Sequence, residues 1–465
     1  MIQPAFEMDT GGDAAVMELV RVNGLPVLGA LIPIQRNALA FFSRVLEEHG
    51  DRVQLRVLGR KIILLCHPDD IEEVLVKDRG TFGRSTEIRR LRSIFGNGLL
   101  ASDGAFWRQQ RNMVQPSFQH SAMTHYASIM LNCISKQLLE WRIGEVRDIH
   151  ADMMRYTRET ICSVLFGSGF AASNPEIGHA VSVVFGDLRA EILYLPIWRR
   201  LPLIRSIRWN RAVKRLNRVI RRTIVARRTS DEAGDDLLGS LLTSRHSDGY
   251  TMSDEQLHDE VLTFFLTGHE TAALSLTWAT YLLATHPEIQ ERAAEEVFAV
   301  TEGGELHPEH YPLLPFVTAV VKEALRLYPP VWSLGREATK DGPLGSLPIP
   351  KGTDLWLCLH RLHRDPRWYS EPERFSPERW LGNQLQRRFT YAPFGIGPRV
   401  CIGQHFAMTE TVIGLAAILG RFRLSLASSA PATVDAWISL RPKERIELRV
   451  HEWRDDPSVP RSAAY

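Results

Sequence analysis

The chain lacks any close pair of cysteines. Its five, Cys66, Cys133, Cys162, Cys358 and Cys401, are odd in number, widely spaced and without a CxxC pair. That excludes a disulfide framework and a zinc ribbon. It also lacks an unbroken apolar run of roughly 18–20 residues, the length a membrane-spanning helix needs. The apolar stretch at 25–34 is short and contains Gly29 and Pro33. No signal peptide is evident at the start, so a cytoplasmic protein without a transmembrane anchor is expected. Charge of one sign is missing too. With 56 Lys and Arg against 54 Asp and Glu, the net charge is +2, and nothing global favours nucleic acid. No repeat and no Gly/Ser/Pro-rich linker divides the chain, so residues 1–465 are expected to form a single domain with loose ends at 1–15 and 454–465.

What is present is enough apolar residue, 44% of the chain, for a large core. Residues 52–65 alternate apolar and polar around Gly59-Arg60, which predicts a hairpin. Pro68-Asp69-Asp70 opens a short helix, and Asp354–Leu359 and Ile446–Val450 read as strands. Most of the remainder has helical spacing, so the fold class is mainly α with small β-sheets (α+β). The clearest helix starts at Ser253, where Ser253 and Gln256 make a capping box, and it runs to about Thr285 before Pro287. Roughly thirty residues at 1.5 Å each make a rod of about 45–50 Å. Its flanks are apolar, yet its middle reads Thr267-Gly268-His269-Glu270-Thr271. A polar, glycine-containing patch in a buried helix costs stability, and such violations mark functional positions. A zinc HExxH reading of His269-Glu270 fails because residue 273 is Ala.

Four cysteines sit among apolar neighbours and are expected to be small core residues. Cys401 differs. It lies in Phe394-Gly-Ile-Gly-Pro-Arg-Val-Cys401-Ile-Gly403, followed at once by a helical pattern. A buried thiol at a helix start is the plain reading, but it leaves Gly395, Gly397 and Arg399 unexplained. A metal-bound thiolate accounts for them: the helix N-terminus favours negative sulfur, and glycines let backbone N–H groups approach it. One cysteine with no second ligand nearby argues against zinc or an iron–sulfur cluster and for haem iron.

This loop resembles that of the cytochrome P450 haem-thiolate monooxygenases, whose pattern is FxxGxRxCxG. Phe394, Gly397, Arg399, Cys401 and Gly403 fill every fixed position. Further motifs follow in family order. Trp107 and Arg111 match WxxxR. The patch at 267–271 resembles the oxygen-handling segment, with Thr267 in place of the usual alanine. Glu323 and Arg326 match ExxR, and Arg379, in a segment where Trp380 stands for phenylalanine, completes the family's triad.

The resemblance implies a triangular-prism fold with haem b between the long helix and the cysteine-loop helix, and Cys401 as the iron ligand. It implies haem contacts from Trp107, Arg111, Arg336, Phe394, Arg399 and Gly403, with His363 a weaker candidate. It assigns Gly268 to close approach of dioxygen, and Glu270 and Thr271 to proton delivery. The reaction implied is reductive dioxygen activation and hydroxylation or epoxidation of a lipophilic small molecule such as a terpenoid, steroid, fatty acid or polyketide. By family position the substrate pocket takes Leu100, Phe264, Thr267, Val331, Trp332, Leu334 and Ile438. A P450-fold isomerase or peroxygenase, or a haem protein that only binds a small ligand, are the alternatives, and the intact Glu270-Thr271 pair disfavours both. With no reductase evident in the chain, electrons are expected from a separate ferredoxin- or flavodoxin-type donor with its NAD(P)H reductase. Arg108, Arg387 and Arg388 are candidates for docking it, and the protein is expected to be a monomer. Residues 192–230 hold no acid and many arginines. They read as a solvated helix face with a mobile lid, with membrane contact near 194–209 as the alternative.

Overall fold

Alternation over 52–65 produces a hairpin on which the main sheet is built. The computed structural model describes residues 19–453 apart from 23–27, 78–79, 231–233, 247–248, 383–386 and most of 169–203. The expected loose ends, and the apolar front of the basic run (Leu195, Ile197, Trp198, Leu201, Leu203), lie outside the described residues. The strands are β1 (Val20–Arg21), β2 (Arg52–Val57), β3 (Arg60–Leu65), β4 (Phe82–Arg84), β5 (Val146–Asp148), β6 (Leu334–Ala338), β7 (Gly342–Leu344), β8 (Leu347–Ile349), β9 (Asp354–Leu357), β10 (Arg423–Leu426), β11 (Val434–Ala436), β12 (Leu440–Pro442) and β13 (Glu447–His451). The largest sheet has the order β1-β2-β3-β9-β6-β4; β10-β13-β5, β11-β12 and β7-β8 form smaller ones.

The hairpin turn is Leu58-Gly59, one residue earlier than expected, with both residues at positive φ (48° and 80°). That is the twist two-residue hairpins favour. The strand expected over 354–359 stops at Leu357, because a helical turn begins at Leu359. The end of β3 is buried throughout from Ile62 to Leu65 and pairs in parallel with β9, the pattern of a strand covered on both faces.

The helices used below are α1 (Leu31–His49), α2 (Pro68–Glu72), α3 (Gly104–Val114), α4 (His120–Leu138), α5 (Ile149–Phe166), α6 (Ile204–Thr229), α7 (Asp254–Thr285), α8 (Pro287–Thr301), α9 (Pro315–Leu327) and α10 (Gln404–Leu419). The capping box of α7 forms as the sequence predicts: Gln256 N–H donates to Ser253 Oγ (3.3 Å), and Ser253 N–H to Gln256 Oε1 (2.9 Å). From Leu257 to Ala284, α7 is buried at every residue except Thr267, Gly268 and Thr271. It packs against α5, α6, α9 and α10, so it is a core helix covered on all sides. One core cluster surrounds its first half, a second its later half with α9 and α10, and a third fills the space between α1 and the main sheet.

Beneath the cysteine loop lies a buried charge network. Glu323 and Arg326 are both fully buried. Arg326 donates to both Glu323 oxygens (2.9 and 2.8 Å), and Arg379 Nε donates to Oε1 at 3.0 Å. Arg326 also donates to the carbonyls of His363, Pro372 and Arg374, which pins the 363–376 segment to α9. Trp380 gives its indole N–H to Glu323 Oε2 at 2.8 Å, a bond phenylalanine cannot make. Trp380→Phe is therefore expected to lower stability by about 1.5–3 kcal/mol, the range for a hydrogen bond to a charged group. Glu323→Ala, which strands buried guanidinium, should cost about 3–5 kcal/mol. Denaturant unfolding of the two variants checks both the values and their order.

Candidate active site

The cysteine loop is closed by its own backbone: Cys401 N–H donates to Phe394 O at 2.9 Å. Gly395 and Gly397 adopt φ of 70° and 75°. A Cβ on Gly397 would lie 2.1 Å from Leu75 O, so only glycine lets the loop lie against the turn after α2. Gly403 caps α10, and its N–H faces the Cys401 sulfur. Cys401 alone among the cysteines is exposed; the others are buried or half-buried. Protein still surrounds its sulfur on most sides. That burial pushes the thiol up, while the Gly403 amide and Arg111 pull it down.

Cations converge beside this loop. Arg111 Nη1 donates to Val400 O at 2.7 Å. Arg399 stacks 4.1 Å over the Trp107 ring, donates to Ser102 O at 3.2 Å, and pairs with Asp103. Arg336 is buried on β6. Its register partner on β4 is Arg84, which the sequence reading missed. Burial, then the fields of Arg399 and Arg336, hold Arg84 well below the usual guanidinium range; Arg111 adds to this, and Asp103 opposes it. Arg84 Nε is buried with no hydrogen-bond partner. This gathering of guanidinium groups favours an anion, and the orphaned Arg84 Nε requires one further acceptor. The two carboxylates of a haem, with Cys401 as iron ligand, meet that requirement, so the residues present fit the group.

The long helix supplies the opposite wall. Thr271 Oγ1 donates to Thr267 O (2.8 Å), and Thr267 Oγ1 to Thr263 O (2.7 Å). Both hydroxyl protons are held by the helix, which leaves lone pairs free to accept. Glu270 turns elsewhere. Its Oε1 accepts from Ser439 Oγ at 2.6 Å and from Arg441 Nε on β12, partners the sequence reading did not supply. Gly268 is half-buried in the middle of α7. A Cβ there would meet Ile161 Cδ1 on α5 at 3.4 Å, an ordinary contact, so packing alone does not require the glycine. His269 bonds Met154 O at 2.9 Å, and burial pushes it down to about 4, so it is a neutral core histidine.

Of the expected pocket residues, Phe264 is buried in the large core around the first half of α7, and Leu100 and Ile438, like Ile402 next to Cys401, are partly buried against that same core. Val331 and Leu334 are half-buried, and Leu334 Cδ1 lies 3.5 Å from where a Gly395 Cβ would stand. Trp332 does not join them. It is buried against Phe42, with ring centroids 5.7 Å apart, and its indole donates to Trp437 O at 3.0 Å. A buried indole needs such a partner, and the sheet core supplies it. His363 is likewise a brace and not a haem contact. Its Nε2 accepts from Ala392 N–H (2.9 Å), and burial, then Arg326, push it down to about 3. Of the basic residues expected to dock a partner, Arg387 is engaged by Asp69 (2.7 Å) and Trp368 (4.4 Å).

Two acids of α7 hold the loop that carries Leu100. Asp259 accepts from Asn97 N–H at 2.7 Å, and Glu260 from Leu99 N–H at 3.0 Å. Burial, with Asp259 adding, pushes Glu260 up to about 8 from an ordinary 4.5. A carboxyl raised on folding contributes stability that is full below 4.5 and is lost as pH rises through about 8. The protection of the amides of residues 96–101, as exchange rate relative to the intrinsic rate at each pH, should therefore fall across that window, and Glu260→Gln should remove the fall. An unchanged pH profile in the variant would contradict the linkage.

A Cytochrome P450 family model matches residues 21–450. Cyclooctatin synthase of Streptomyces melanosporofaciens is 36% identical over 92% of this chain and 93% of that protein. Pentalenene oxygenase of Streptomyces avermitilis is 31% identical over 92% and 95%. Cyclooctat-9-en-7-ol 5-monooxygenase of Streptomyces melanosporofaciens is 34% identical over 86% and 88%. The matched span takes in both the cysteine loop and the long helix, and with it this chain belongs to the cytochrome P450 family.

Proposed function

We propose that this monooxygenase hydroxylates an apolar terpenoid, using haem b and electrons from a separate ferredoxin- or flavodoxin-type protein. The observation that carries the substrate class is that the pocket positions Leu100, Val331, Leu334 and Ile438 are all apolar and half-buried, with Phe264 buried in the core that Leu100 and Ile438 border. Relatives named for oxidation of pentalenene and of cyclooctat-9-en-7-ol support the same class. The reading takes 1–465 as one domain, acting as a cytoplasmic monomer. No helix among the described residues is long and apolar enough to cross a membrane.

Haem iron, bound through Cys401, supplies the reductive activation of dioxygen. The chain's part is placement, protons and exclusion of water. The Gly403 amide and the start of α10 favour the sulfur as thiolate. Arg84, Arg111, Arg336 and Arg399 hold the haem carboxylates and anchor the edge of the ring. The Thr271 hydroxyl, its own proton donated to Thr267 O, accepts a hydrogen bond from a water and so holds that water, the proton carrier, in the cleft. Glu270 holds a proton-accepting carboxylate between Ser439 and Arg441, and Arg441 keeps 31% of its side chain exposed, which opens a way to solvent.

The carbon monoxide spectrum of the reduced protein tests the ligand: the red-shifted band of thiolate-bound haem should appear and be absent in Cys401→Ser. Thr271→Ala should cut product formed per dioxygen consumed by about tenfold or more, with substrate affinity little changed. Undiminished yield would remove Thr271 from proton delivery. Titration with terpenoid hydrocarbons and with fatty acids, read by the Soret shift, tests the substrate; a response to fatty acids alone overturns the terpenoid reading.

A further inference from the structure

Helix α6 carries ten cations and no acid over Ile204–Thr229. The chain as a whole is only +2, so its remainder is net acidic and the molecule is strongly polarised toward this helix. The apolar side of α6, with Trp209, Leu216, Ile220 and Ile224, is buried. The opposite side has a definite order. Ile207 and Val225 are separated by five full turns, about 27 Å along the axis, and so share one azimuth. Both are exposed, at 40% and 55%. Between them, within about 40° of the same line, stand Arg211, Lys214, Arg218 and Arg221, all exposed. Near the end of the helix, Arg227 and Arg228 are paired with Asp236 and Asp254. The four cations of the stripe have no carboxylate partner among the described residues.

We infer that this stripe is a docking surface for an anionic phospholipid bilayer. The cations form a straight row and not a pocket, so they suit a plane of many like charges without fixed geometry. The exposed aliphatic side chain at each end suits insertion among the headgroups. A specific protein interface would be centred on aromatic anchors, and the aromatic residue of this helix, Trp209, is turned inward. Each cation near an anionic surface adds attraction that salt screens. Because α6 packs on α7, docking would set the first half of the long helix close to the bilayer.

The test uses the haem-loaded protein with phosphatidylcholine vesicles that contain or lack phosphatidylglycerol. Binding should occur only with phosphatidylglycerol and be lost at high salt. It should fall by about tenfold or more when Arg211, Lys214, Arg218 and Arg221 are replaced together by Gln. Ile207→Ser with Val225→Ser should weaken binding while leaving its salt dependence. All these side chains are exposed, and an unaltered reduced carbon monoxide spectrum verifies the fold of each variant. Absence of binding to the anionic vesicles, equal binding to both kinds, or an unaffected Gln variant overturns the inference. So does capture of an acidic protein by this face with vesicles ignored.

Discussion

Mutual repulsion among four guanidinium groups is the constraint on which the site depends. Arg84 and Arg336 are fixed by neighbouring strands, Arg111 by a helix, and Arg399 by the cysteine loop. Asp103 offsets part of that charge, and stacking of Arg399 on Trp107 holds one member in place. The rest calls for an anionic guest. The sheet, the helix α3 and the loop therefore reach their lowest free energy together with the cofactor. Below the loop the logic is reversed: the Glu323 network is self-sufficient, with the carboxylate taking donors from Arg326, Arg379 and Trp380. One network is closed on itself, the other leaves Arg84 Nε open to a further acceptor.

The long helix solves a related conflict. Almost every turn of α7 is buried, so its hydroxyl-bearing residues must satisfy themselves. They do so by bonding back along the helix, from Thr263 to Asp259, Thr267 to Thr263, Thr271 to Thr267 and Ser275 to Thr271. This keeps polar side chains inside an apolar core without distant partners, and leaves Thr267 and Thr271 half-open where chemistry is required.

Much of this was legible in the sequence because it depends on local spacing. The capping box of α7, the glycines of the cysteine loop, the ExxR pair and the hairpin at 52–65 each follow from residues a few positions apart. What escaped depends on register and rotation. Arg84 becomes a site residue only because β4 pairs with β6. Ser439 and Arg441 meet Glu270 only through the late β11–β12 hairpin. Trp332 was expected in the pocket by its position after the Pro329-Pro330 turn, but nothing local reveals that its indole finds Trp437 O. The meaning of Trp380 was hidden as well: a departure from the usual phenylalanine turned out to be an added donor.

The hairpin that clamps Glu270 has one more implication. Ile438, Ser439 and Arg441 sit within four consecutive positions, the first partly buried against the core around the first half of α7 and the others holding the carboxylate. A residue proposed for the substrate wall and the partners of the proposed acid thus share one short turn. Mutational drift that retailors position 438 for a new substrate moves through the backbone that anchors the acid. Under the proposed function, tailoring the substrate side of this turn is expected to be felt at the Glu270 carboxylate.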